Sequence, residues 1–111
     1  MDSRYTLKLN SDFRRLYSKG KRAVSPYIVV YCMRNRLEEN RTGYTVSAKL
    51  GHAVVRNRVR RQLREIYRLN SGSLKKGWDI VVVARHRSIG ADYSSLNSAF
   101  LDACRELELL Q

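Results

Sequence analysis

Apolar residues in this chain recur at two spacings, and the switches between them mark the elements. Phe13, Leu16 and Tyr17 fall at i, i+3 and i+4, one face of a helix. Asn10-Ser11-Asp12 ahead of them offers an N-cap and an acidic first turn, and Gly20 behind them a left-handed cap. Residues 21–24 read as a short edge strand stopped by Ser25-Pro26. Residues 27–33 then alternate, with Tyr27, Val29, Tyr31 and Met33 facing one way and Ile28, Val30 and Cys32 the other. Residues 34–41 form a polar hairpin loop, and residues 43–47 return as a strand with Tyr44 and Val46 opposite Thr45 and Ser47. Residues 79–85 are a β-branched run expected of an interior strand covered on both faces. Tyr93, Leu96, Phe100, Ala103 and Leu107 return to helical spacing, predicting a last helix over residues 93–110. Residues 1–9 read as a loose polar lead-in, and residues 73–77 as a linker.

Between the third and fourth strands lies the stretch that gives the chain its character. Val55, Val59, Leu63 and Ile66 mark the inner face of a helix that closes near Asn70-Ser71-Gly72, with Gly51 ahead of it suited to a special backbone angle. Residues 51–68 hold six arginines, no lysine and one acid, Glu65. Arg56, Arg60, Arg64 and Arg68 form an i, i+4 row flanked by Arg58 and Arg61. Each like-charge step costs ~0.2–0.5 kcal/mol. Burying four aliphatic side chains returns ~6–12 kcal/mol as an upper bound. The helix is therefore affordable, and its outer face is a comb of guanidinium groups that Glu65 relieves only in part. The predicted order is α-β-β-β-α-β-α. That is a single α+β domain over residues 1–111, with a four-stranded mixed sheet and helices packed on it.

Charge sharpens this picture. The net formal charge is +12. Of the 22 basic residues, 21 fall within residues 1–88, whereas residues 89–111 hold one arginine and four acids. The cationic field thus belongs to the region around the arginine helix, and a polyanion is the expected partner. Arginine makes bidentate phosphate contacts and stacks on bases, which favours nucleic acid over a plain solvated face. A membrane surface would need Trp or Phe beside the basic face, and Trp78 lies elsewhere. No run approaches a membrane span or a secretory signal, so a cytoplasmic protein is expected. Cys32 and Cys104 stand in apolar patterns and read as reduced core residues.

Protein-based catalysis finds little support in the residues. His52 and His86 are isolated loop histidines, and no Asp/Glu pair has metal-ligand spacing inside the basic region. Phe13 and Tyr17, beside Arg14 and Arg15, fit plain core or stacking platforms for unpaired bases, and the segment by itself favours core.

The run from Val46 through Lys49, Gly51, Arg56-Asn57-Arg58 and Arg60-Arg61 to Glu65 resembles the signature of the bacterial ribonuclease P protein component. Asp12-Phe13 with Tyr17, the strand bearing Tyr31, and Gly77-Trp78-Asp79 are similar to that family as well. The resemblance implies a fold like that of ribosomal protein S5 domain 2, with a left-handed crossover through the arginine helix. It implies a ribonucleoprotein that removes the 5′ leader of precursor tRNA, with catalysis carried by a large RNA and its Mg2+, one protein per RNA. By position, Arg56, Asn57, Arg58, Arg60, Arg61, Arg64 and Arg68 match the motif that meets the catalytic RNA. Phe13, Arg14, Tyr17 and Tyr31, bordered by Ser47 and Lys49, match the cleft that receives the leader. No catalytic or metal-ligating side chain is implied. Ala48 and His52 depart from the family pattern, as does the lack of a basic C-terminal tail. Two other readings remain: a ribosomal-type RNA-binding protein without a substrate cleft, and a protein-only nuclease using His52 or His86.

Overall fold

In the computed structural model, residues 5–111 are described. Four strands, β1 (Lys21–Val24), β2 (Ile28–Arg34), β3 (Arg41–Thr45) and β4 (Trp78–Ala84), form one sheet in the order β1-β2-β4-β3. β2 pairs antiparallel with both β1 and β4, and β3 pairs parallel with β4. Helix α1 (Asn10–Lys19) precedes the sheet, α2 (Ala53–Asn70) links β3 to β4, and α3 (Tyr93–Glu106) follows β4.

The two faces of the sheet are set by residue parity. Ile28, Val30 and Cys32 of β2, with Ile80, Val82 and Ala84 of β4, turn to the side covered by α2 and α3. There they meet Val59, Leu63 and Ile66 of α2, and Leu96, Phe100, Ala103 and Cys104 of α3. Val81 turns the other way, with Tyr31, Met33 and Val83, against Leu16 and Phe13 of α1. β4 is thus buried on both faces, as its unbroken β-branched run predicts. A bidentate pair locks the start of β3 to β4: Arg41 Nε and Nη2 donate to Asp79 Oδ1 and Oδ2 at 2.8 and 2.7 Å. Both cysteines are buried free thiols, with pKa values pushed up by that burial.

Several local expectations change. Tyr27, expected on the face of Tyr31 and Met33, packs instead against the core on the α2 and α3 side, because it precedes β2, which starts at Ile28. β3 runs Arg41–Thr45, two residues ahead of the expected 43–47. β2 and β3 are not a hairpin, because β4 inserts between them; a strand apolar on both faces takes the interior position, and a half-polar one takes the edge. Asn10 is the first residue of α1 rather than its cap, and Leu9 precedes it without a side-chain bond. Gly20 is extended (φ −75°, ψ 160°), not left-handed; a Cβ there would meet the Leu16 carbonyl oxygen at 2.6 Å and that of Cys32 at 2.9 Å. The last helix stops at Glu106, where Glu108 adopts φ 60° and turns Leu109 fully into the core. Neither predicted loose segment is wholly free: Leu7 is buried and its N–H donates to Thr42 O at 2.8 Å, and Leu74 is buried opposite Leu110. Of the lead-in, residues 1–4 lie outside the described residues.

Candidate nucleic-acid interface

α2 buries Val59, Leu63 and Ile66 and turns its arginines outward. Val55, expected with them, is only half-buried beside Gly51 and stays outside the core, because it lies in the first turn, ahead of where the helix meets the sheet. The chain enters it through a 3-10 turn (Ala48–Leu50) and Gly51, whose φ of 144° is one that a side chain would strain. Two sub-rows separate around the helix. Arg56, Arg60 and Arg64 are half-buried along the flank, whereas Arg58, Arg61 and Arg68 are exposed. Arg56 Nε donates to the Gly51 carbonyl at 3.1 Å, and Arg60 Nη1 donates to Asn57 Oδ1 at 2.9 Å. Asn57 therefore orients a guanidinium without neutralising it. Of these six arginines, Arg68 alone is held by a carboxylate among the described residues: its Nε donates to Glu65 Oε2 at 3.0 Å, which keeps the Glu65 carboxyl below its usual range. The other five arginines have no acidic partner among the described residues.

α1 presents the aromatic groups. Phe13 and Tyr17 lie one turn apart, with ring centroids at 6.4 Å, and Tyr17 meets Tyr31 of β2 edge-on at 5.0 Å. The Tyr17 hydroxyl is 2.7 Å from Thr45 Oγ1, which fixes the ring over the end of β3. Tyr17 remains 40% exposed, so it is a presented ring rather than core. Gly43 lies directly beneath Phe13, and a Cβ there would stand 2.7 Å from the ring.

Phe13, Arg14 and Tyr17 line an open cleft of about 560 Å³, closed on its other side by Tyr44, Thr45, Val46 and Arg60. Tyr31 backs Tyr17, and Ser47 and Lys49 follow the strand just beyond, the Ser47 oxygen accepting the Lys49 N–H at 3.2 Å. Sequence spacing placed Arg60 with the helix comb; the fold brings it into the aromatic cleft. Tyr44 is the residue that sequence reasoning passed over. Its hydroxyl is cut off from solvent and makes no well-formed hydrogen bond among the described residues; burial pushes the phenol up to about 12, against a weaker lowering by Thr42 nearby. Its place beside Val46 in an alternating strand marked it only as a core position.

His52 and His86 are exposed and line no part of this cleft. Among the described residues no group of three or more His, Cys, Asp or Glu side chains could hold a metal ion. No carboxylate lines this cleft, and a protein holds Mg2+ chiefly through carboxylates, so the cleft does not fit that ion. No described helix is long and apolar enough to cross a membrane.

A sequence model of the family described as Ribonuclease P matches residues 1–108. The chain is 43% identical over 110 residues to the ribonuclease P protein component of Alkaliphilus metalliredigens, covering 99% of each. It is 41% identical over 106 residues to that of Natranaerobius thermophilus, covering 96% of this chain and 92% of the relative. The fold superposes on the RNase P protein of Staphylococcus aureus with a TM-score of 0.87 at 30% identity, covering 96% of this chain and 98% of that one. On the RNase P protein from Thermotoga maritima the TM-score is 0.80 at 34% identity, covering 87% and 92%.

Proposed function

The chain belongs to the ribonuclease P protein family, and from that premise we propose that its two surfaces divide the work of holding RNA during removal of the 5′ leader from precursor tRNA. The exposed arginines of α2 (Arg58, Arg61 and Arg68, with Arg56 and Asn57 at the head of the helix) meet phosphates of the catalytic RNA. The cleft of Phe13, Arg14 and Tyr17, backed by Tyr31, receives the single-stranded leader, with Ser47 and Lys49 at its margin. Stacking on aromatic rings and phosphate contact tolerate any base, which suits leaders of varied sequence. One observation carries this reading: the exposed Tyr17 ring, with half-buried Phe13 beside it, and a guanidinium held by Asn57 line one open cleft.

Mg2+ belongs on RNA phosphates, and the protein's part is to bind and orient both RNAs, one protein per catalytic RNA, in the cytoplasm. The histidines lack the orienting partner that a general base requires, since neither is hydrogen-bonded through its side chain among the described residues. The test is cleavage of precursor tRNA at low Mg2+, by the protein with and without the catalytic RNA. Cleavage is expected only with both. Phe13→Ala and Tyr17→Ala are expected to abolish the gain in affinity with leader length. Unaided cleavage by the protein would restore the protein-only nuclease reading, and leader dependence that survives both substitutions would favour a plain RNA-binding role.

A further inference from the structure

A second cavity, of about 460 Å³, opens between β3 and α2 and shares Tyr44 with the aromatic cleft. Thr42 and Tyr44 come from the strand and Arg64, Tyr67 and Arg68 from the helix, with Lys76 beside them. Two of its three cations are already engaged: Arg68 with Glu65, and Lys76 with Glu39 at 3.5 Å. Arg64 has no acidic partner among the described residues. The Tyr67 ring is braced from behind by Phe100, edge-on at 6.4 Å, and burial raises its phenol, so the hydroxyl stays protonated at neutral pH.

An inorganic anion would need no aromatic wall, and an apolar ligand would need no unpaired guanidinium. A braced ring beside an unpaired guanidinium suits one single-stranded nucleotide, its base and its phosphate each provided for. The placement agrees. Arg60 lines the aromatic cleft and Arg64 the cavity, ~6 Å apart along the helix axis at ~1.5 Å per residue. That is a short step between neighbouring phosphates of one strand.

We propose that the cavity between β3 and α2 is a second single-strand subsite, which takes a leader nucleotide beyond those in the aromatic cleft, its phosphate on Arg64 and its base against Tyr67. This rests on the reading of the aromatic cleft as the leader's site. It also moves Arg64 from the catalytic-RNA contacts to the substrate contacts.

The experiment uses the reconstituted holoenzyme and precursor tRNAs whose leaders grow one nucleotide at a time, with affinity measured under conditions that block cleavage. For Arg64→Gln the loss should grow with leader length, to about tenfold, the size of one charge-assisted hydrogen bond. With long leaders the dependence of log K on log salt should be shallower by ~0.7, one single-strand phosphate contact. An equal loss at every leader length, the shortest included, would overturn the proposal and return Arg64 to the catalytic RNA. Leader dependence as steep in Phe13→Ala as in the parent would instead remove the premise, and it is read without any substitution at Arg64; a reduced remainder in Phe13→Ala that disappears when Arg64→Gln is added is the result expected.

Discussion

α2 and α3 lie on the same face of the same sheet and share one core, yet their outer faces follow opposite rules. α3 begins with Asp92, whose carboxylate accepts the Ser95 N–H at 2.7 Å, and near its end Arg105 is paired with Asp102 at 2.8 Å. α2 begins with His52, which makes no side-chain cap, has no acid in its first turn, and carries five arginines without acidic partners among the described residues. A helix that only had to stand would be finished as α3 is. α2 is held by its inner side alone, and its outer charges await a partner. Favourable local electrostatics has been given up where a polyanion is to bind.

The comparison can be broken at the inner faces first. Leu63→Ala in α2 and Leu96→Ala in α3 should each cost ~2–5 kcal/mol in denaturant unfolding, since both side chains are fully packed. A much smaller cost for Leu63 would mean that α2 is not anchored as described. Next comes the hydroxyl beneath the α2 flank. Tyr44→Phe should raise stability by ~1 kcal/mol, because an unmet buried polar group is costly. Unchanged or lower stability would show that the hydroxyl has a partner after all.

The outer faces come third. Arg58→Ala or Arg61→Ala should each make the salt dependence of catalytic-RNA binding shallower by ~0.7–0.9, whereas Arg105→Ala should leave it alone. Equal slopes for all three would erase the distinction between the helices. The smallest effect is at the caps. Asp92→Ala should lower Tm measurably, and His52→Ala should not. Hydrogen bonding to Ser95 holds the native Asp92 carboxyl below its ordinary value. Its contribution is therefore full above the unfolded pKa, about 3.9, and fades as pH falls through the lower native value. The Tm gap between parent and Asp92→Ala should close under acid, and a gap constant to pH 2 would contradict the cap.

Period alone revealed the parity of residues 28–33, the double burial of β4 and three of the four inner positions of α2, because each is a local consequence of which positions are apolar. The strand order was not legible. Adjacency in the chain suggests that β2 and β3 pair, and only the competition among all four strands for the interior place puts β4 between them. The end of α3 was hidden for a related reason: Leu107 and Leu110 continue the helical spacing, and a single left-handed residue at Glu108 decides otherwise. At the site, the residue types on α1 and α2 were legible, and their roles came from family likeness. That Arg60 crosses to the aromatic rings, or that Tyr44 walls two cavities, depends on how α2 lies along the β3 edge, which no periodicity encodes.

The bare backbone at Gly43 sets the depth at which Phe13 rests. One added methyl there would act as a wedge beneath the far edge of that ring, not as a fault in the sheet. The cleft's floor is in this sense a shim that a single codon can thicken, reshaping the grip on a passing strand while the scaffold beneath stays as it was.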